Sequence, residues 1–132
     1  MAGAHVAVQA AQDHTGQRIA CASGADRFKV EMQLTHVGLI PFFAGHIFSG
    51  HEMPRSKPAP DVYLAAVQHL AAPASRCLVI EDSVVGARAG VAAGATVWAY
   101  CPNPQQGEAL RAVGVSRLFG HMADLPELLA AR

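Results

Sequence analysis

The chain has 132 residues, enough to bury one core and too few for two domains. Hydrophobic residues make up 52% and charged residues only 15%, which is the composition of a globular chain and not of a disordered one. Ten Lys and Arg balance ten Asp and Glu, and that neutrality argues against nucleic acid or an anionic membrane as the main partner, since both demand clustered positive charge.

No stretch approaches the ~20 apolar residues of a membrane span. The opening MAGAHVAVQAAQDHTG has neither the basic start nor the long apolar run of a secretory signal. Cys21, Cys77 and Cys101 are far apart, odd in number and form no CxxC pair. They read as free thiols of a reducing cytoplasm, two of them inside predicted strands. The seven histidines never fall as HxH or HExxH, so their spacing favours surface or core placement over metal ligation.

Residues 4–12 are Ala-rich and predict a helix, broken by Asp13 to Gln17. The apolar run Arg18-Ile19-Ala20-Cys21-Ala22 predicts a buried strand, and Ser23-Gly24 a turn after it. Residues 25–37 carry Phe28, Met32, Leu34 and Val37 at roughly helical spacing, with Gly38 placed to close that helix. His46-Ile47-Phe48 predicts a short strand, and Gly50 to Pro60 a loop rich in Gly, Pro and charge. Asp61 to Ala72 predicts a helix contacting the core through Val62, Leu64, Ala65 and Leu70.

Cys77-Leu78-Val79-Ile80 is a continuous apolar run, as in a parallel strand covered on both faces, and it leads straight into Glu81-Asp82-Ser83. A helix over Val84 to Ala93, a strand over Ala95 to Tyr100 and a helix around Gln105 to Val113 follow. A strand at Arg117 to Phe119 and a helix from Asp124 to Ala131, with Asp124 as its cap, complete the chain. Strands alternating with helices predict an α/β fold with a parallel, doubly wound sheet, in which ligands bind beyond the carboxyl ends of the strands.

Three features fall at those ends. Adjacent carboxylates at Glu81 and Asp82 repel each other, and a hard divalent cation such as Mg²⁺ would relieve the conflict. On residue types alone, capping of the next helix by Asp82 or Ser83 is an equal alternative. Lys57 stands in Arg55-Ser56-Lys57-Pro58-Ala59-Pro60, where the prolines stiffen its presentation. A rigidly held ammonium suits charge compensation of a phosphoryl group, although a lone Lys-Pro is most often an ordinary exposed loop. Ser23 and Gly24 lead from a strand into a helix, where a hydroxyl and backbone N–H groups form an anion site, or simply a cap and turn.

In this order, an apolar strand ending in Ser, then Lys-Pro-x-Pro, then an apolar strand ending in Glu-Asp-Ser-x-x-Gly resembles the haloacid dehalogenase superfamily. The resemblance is to its sugar-phosphate phosphatase and phosphomutase-like branch. IACASGADR resembles the second family motif, RSKPAPDVYLAA the third and CLVIEDSVVGARAGVAAGATVWAY the fourth, and the match runs from about residue 17 to residue 131. The tail, with TVWAYCPNP and MADLPELL, looks most like enzymes of the 6-phosphogluconate phosphatase type.

The resemblance implies a partial Rossmann-like parallel sheet with flanking helices and Mg²⁺-dependent hydrolysis of a small phosphorylated metabolite. It casts Lys57 as the catalytic residue that balances charge on a phosphoaspartate intermediate and its neighbours. Ser23, with the backbone at Gly24, would bind the phosphoryl group. Glu81 and Asp82 would hold the Mg²⁺, and Gly86 would let the following helix approach closely.

In the family, a first strand ending in a DxDGT-type motif supplies the nucleophilic aspartate and the general acid/base. The aspartates here are Asp13, Asp26, Asp61, Asp82 and Asp124, and none has a second Asp two positions later. The resemblance therefore implies that residues 1–132 are a partial core without the central strand and without the cap domain inserted after it. Such a chain is expected to be a truncated gene, a mis-called start or a fragment, with Met1 an internal methionine, and to be inactive alone.

A missing central strand leaves two open strand edges. Either the strands of Cys21 and Val79 close up and pair, or a gap remains for a complementing segment, with self-association through the edges as the expected result. Two other readings stay open, a non-catalytic remnant that binds Mg²⁺ and anions, and a receiver-like signalling domain. The receiver is the weaker, because its acidic pair should come first in the chain, and here it comes last.

Overall fold

A computed structural model describes residues 3–132; Met1, read above as an internal methionine, and Ala2 lie outside the described residues. In chain order the elements are α1 (Ala4–Thr15), β1 (Cys21–Ser23), α2 (Arg27–His36), α3 (Ile40–Phe43), β2 (Ile47–Ser49), α4 (Asp61–Leu70) and β3 (Leu78–Glu81). They continue with α5 (Val84–Ala92), β4 (Thr96–Tyr100), α6 (Gly107–Ala112), β5 (Arg117–Phe119) and α7 (Leu125–Ala130). The predicted α/β alternation holds.

Several boundaries and faces differ from the sequence expectations. Helix α1 runs through Asp13 to Thr15, because the Thr15 hydroxyl donates to the Ala11 carbonyl at 2.7 Å and Gln9 donates to Asp13. It stops at Gly16, whose φ of 64° only glycine adopts readily. Helix α2 buries Val30, not the expected Phe28, Met32 and Val37, which are 76%, 53% and 54% exposed. On α4 the buried positions are Val62, Tyr63 and Ala66, while Leu64 faces solvent. Helix α3 is a single turn that periodicity was too short to reveal. Asp124 does precede α7, but its side chain makes no capping hydrogen bond.

All strand pairs are parallel, in two separate sheets. β1 pairs with β2 from Cys21↔Ile47 to Ser23↔Ser49. β3, β4 and β5 form the second sheet, with Leu78 opposite Thr96 and Trp98 opposite Arg117. β1 and β3 share no ladder. Of the two outcomes expected for the open edges, the gap is the one found. A cleft of about 340 Å³ separates Ala20, Cys21 and Ala22 from Leu78, Val79 and Ile80.

Helices cover both faces. Strand β4 sends Val97 and Ala99 to one side, where they pack with Val62, Ala87 and Leu110. It sends Trp98 to the other, against Ala7, Phe119, Leu125 and Leu129. Gly90 belongs to the first interface, since a Cβ there would approach Val97 within 2.8 Å. Val79 is buried in the first cluster, while Leu78 and Ile80 point to the other face and stay half-buried against the second.

Candidate active site

The carboxyl ends of β1 and β3 face each other across the mouth of the cleft, and the loop before α4 carries Lys57 between them. That loop is tied to the helix by an ion pair of Arg55 with Asp61 at 2.9 Å. The Lys57–Pro58 peptide is cis. The Lys57 ammonium donates to Glu81 Oε2 at 2.6 Å, to the Tyr63 hydroxyl at 3.1 Å and to the Ala22 carbonyl at 3.4 Å. It thus touches the ends of both sheets. Ala22 is on β1, and Glu81 closes β3.

Glu81 is 9% exposed, and both its oxygens are engaged. Oε2 accepts from Lys57 and from the Tyr63 hydroxyl, while Oε1 accepts from the Asp82 backbone N–H at 3.2 Å and the Ser83 hydroxyl at 3.4 Å. Burial by itself would raise the carboxyl's pKa, but the hydrogen bonds from Lys57 and Tyr63 and the Lys57 charge outweigh it and hold Glu81 below its ordinary value. Tyr63 moves the other way. Burial, then the neighbouring Glu81 charge, pushes its phenol far above the usual range, so the hydroxyl keeps its proton. Cys21 lies nearby, and burial raises its thiol despite the Lys57 charge.

The segment after β3 follows from this carboxylate. A Cβ at Gly86 would overlap the Glu81 carboxylate, so only glycine lets α5 start where it does. Ser83 caps α5, its hydroxyl oxygen accepting from the Gly86 N–H at 3.0 Å. Of the alternatives open at sequence level, capping is therefore done by Ser83, which leaves the Asp82 carboxylate exposed and, among the described residues, without a hydrogen-bond or ion-pair partner.

At β1, the Ser23 hydroxyl accepts from the Ala25 N–H at 3.1 Å. The cap of α2 is Asp26, which accepts from the Lys29 N–H at 2.9 Å. Nothing lies within 4 Å of where a Cβ on Gly24 would stand, so no packing contact demands glycine there. The turn is held from below by Ser49, fully buried, which donates to the Ala25 carbonyl at 2.6 Å. Arg27 straps it from outside, with paired hydrogen bonds to Glu52 and one to the Ile47 carbonyl.

Of the residues singled out from sequence, the fold brings Lys57 and Glu81 into direct contact. Ser23 and Asp82 join them only as the chain neighbours of Ala22 and Glu81. Sequence reasoning missed Tyr63 and Ser49. Tyr63 carried a usable signal: a tyrosine on the core face of a helix needs a partner for its hydroxyl, and it follows Lys57 by six residues. Ser49 carried none.

The donor set suits a hard cation in part. Asp82 presents an unspent carboxylate, as Mg²⁺ requires, whereas Glu81 is already committed to protein donors and would act by orienting its neighbours. Among the described residues no three His, Cys, Asp or Glu side chains gather in one place.

Comparison with known proteins identifies the family. A family model described as haloacid dehalogenase-like hydrolase matches residues 1–94. The 6-phosphogluconate phosphatase of Escherichia coli is 29% identical over 79% of this chain and 46% of its own length. The crystal structure of a HAD family hydrolase from Deinococcus radiodurans, with bound phosphate and sodium, superposes with a TM-score of 0.87 at 34% identity, over 99% of this chain and 59% of that one. CbbY from Rhodobacter sphaeroides, in complex with xylulose-(1,5)bisphosphate, superposes with a TM-score of 0.80 at 27% identity, over 94% of this chain and 55% of that one. The chain thus spans about half the length of these relatives. The motifs, the parallel α/β fold and the 94 matched residues together place it in the haloacid dehalogenase-like hydrolase family.

Proposed function

We propose that this chain carries the phosphoryl-binding and metal-binding half of an Mg²⁺-dependent phosphatase acting on a small sugar phosphate, and that it does not turn over substrate alone. The observation that carries the reading is the buried Lys57–Glu81 pair, set at the ends of two facing strand edges beside the unpaired carboxylate of Asp82. Relatives of the chain include a 6-phosphogluconate phosphatase and a protein crystallised with a sugar bisphosphate, which supports the substrate class.

In this reading Ser23 and the N–H groups after it receive phosphoryl oxygens, and Lys57 offsets their charge. Asp82 would hold Mg²⁺, with Glu81 beside it, and the ion would neutralise negative charge on the phosphate. No described carboxylate other than Glu81 and Asp82 stands in the site; Glu81 is held by Lys57 and Tyr63, and in this reading Asp82 is taken up by the metal, so neither serves as nucleophile. The nucleophile would come from an extended apolar segment ending in a carboxylate, laid between β1 and β3, where both edges offer unpaired N–H and C=O groups.

The test is a phosphate-release assay with p-nitrophenyl phosphate, with and without Mg²⁺. The chain alone is expected to show no turnover, while Mg²⁺ binds with an affinity that falls at least about tenfold in Asp82→Asn. Mg²⁺-dependent turnover by the chain alone, abolished in Asp82→Asn, would defeat the proposed division of labour. A non-catalytic remnant is separated from a half-enzyme by adding the complementing strand, since only the half-enzyme gains activity.

A further inference from the structure

We propose that Tyr63 is a positioning residue for Lys57, its hydroxyl deciding which ammonium proton is left for an anion at the end of β1. The proposal rests on the reading of Lys57 as a phosphoryl-facing cation. An ammonium has three N–H donors, and all three are placed here. Two go to buried groups, Glu81 Oε2 at 2.6 Å and the Tyr63 hydroxyl at 3.1 Å. Tyr63 donates its own proton to that same carboxylate oxygen, so its lone pairs are turned toward Lys57. The ring also lies under the ammonium, 4.8 Å from its centroid.

The third donor goes to the Ala22 carbonyl at 3.4 Å, beyond the usual N–H···O range and therefore the weakest of the three. Ala22 immediately precedes Ser23 and Gly24. An anion oxygen arriving at that turn displaces one long hydrogen bond and leaves the other two intact. Without the Tyr63 hydroxyl, one ammonium proton loses its partner and only the long bond to Ala22 remains beside Glu81, so the head group swings about Glu81 and the anion loses its aimed donor. Phe keeps the ring and its packing, so Tyr63→Phe isolates the hydroxyl.

The experiment uses the 132-residue chain, wild type and Tyr63→Phe. Its first arm records the ¹H–¹⁵N signal of the Lys57 ammonium, assigned by its disappearance in Lys57→Arg. A resolved, slowly exchanging signal is expected in the wild type, and its loss in Tyr63→Phe. No signal in the wild type, or an unchanged one in the variant, overturns the proposal. The second arm titrates inorganic phosphate against the amide signals of Ser23 and Gly24. Affinity is expected to fall about fivefold or more in Tyr63→Phe. It should not change in Val62→Ala, which loosens the same core without touching the hydroxyl.

Equal affinity in Tyr63→Phe, or an equal loss in Val62→Ala, overturns the positioning role. If phosphate leaves the wild-type amides unmoved, the phosphoryl reading of the site fails instead, and the ammonium signal alone judges Tyr63.

Discussion

Lys57 and Glu81 meet at 2.6 Å with only 14% and 8% of their side chains exposed, although 23 residues separate them in the chain. The pair joins a loop to a strand end and places the ammonium where it also reaches the neighbouring sheet at Ala22. Charges so far removed from water are costly unless both partners are present. The first prediction follows from that asymmetry.

Lys57→Met should destabilise the chain by about 3 kcal/mol, because it strands a buried carboxylate. Adding Glu81→Gln should recover more than half of the loss. Urea unfolding of the two variants measures it. A single variant as stable as the wild type would show that the pair is hydrated and inconsequential.

Gly86→Ala should cost about 1–3 kcal/mol, although alanine favours helices, because the new methyl must displace the Glu81 carboxylate. The loss should shrink in a Glu81→Ala background, where the space is open. Equal losses in the two backgrounds would place the strain elsewhere.

Acidification should remove the Glu81 contribution. Its folded-state pKa lies below the ordinary 4.5, so the folded state binds the proton less readily than the unfolded state. The contribution is complete above that ordinary value and disappears as pH falls through the depressed one. Between about pH 6 and about pH 3, the urea midpoint should fall more steeply for the wild type than for Glu81→Gln. Parallel slopes would show that Lys57 and Tyr63 do not hold the Glu81 carboxyl below its ordinary value.

The open edges of β1 and β3 should make the isolated chain self-associate with rising concentration, as seen by sedimentation velocity. A synthetic peptide of about six apolar residues ending in aspartate should suppress this by occupying the cleft, with one parallel ladder forming on each side. A monodisperse monomer that ignores the peptide would mean that the cleft is closed in solution.

Much of this was legible in the amino-acid order. Continuous apolar runs located β3 and β4 to within a residue or two, and β5 fell on its predicted bounds, because buried parallel strands admit little else. Lys57 and the Glu81-Asp82 pair stood out because charges at the mouths of such strands are expensive without a purpose. Helix faces were less legible. On α2 and α4 several apolar positions compete, and the winning set depends on where the sheet lies, which put Phe28 and Leu64 in solvent and Val30 and Tyr63 inside.

The sequence by itself determined the α/β class, the family motifs and the residue types of the site, since all of these rest on local pattern and on spacing along the chain. Only the tertiary structure decided that β1 and β3 stay apart, because strand pairing is a choice among distant edges that no local pattern encodes. It also decided that Glu81 is spent on Lys57 and Tyr63 while Asp82 remains free. Glu81 ends β3 and Asp82 lies just past it, so which of the two meets a cation depends on what packs above each and not on their order in the chain.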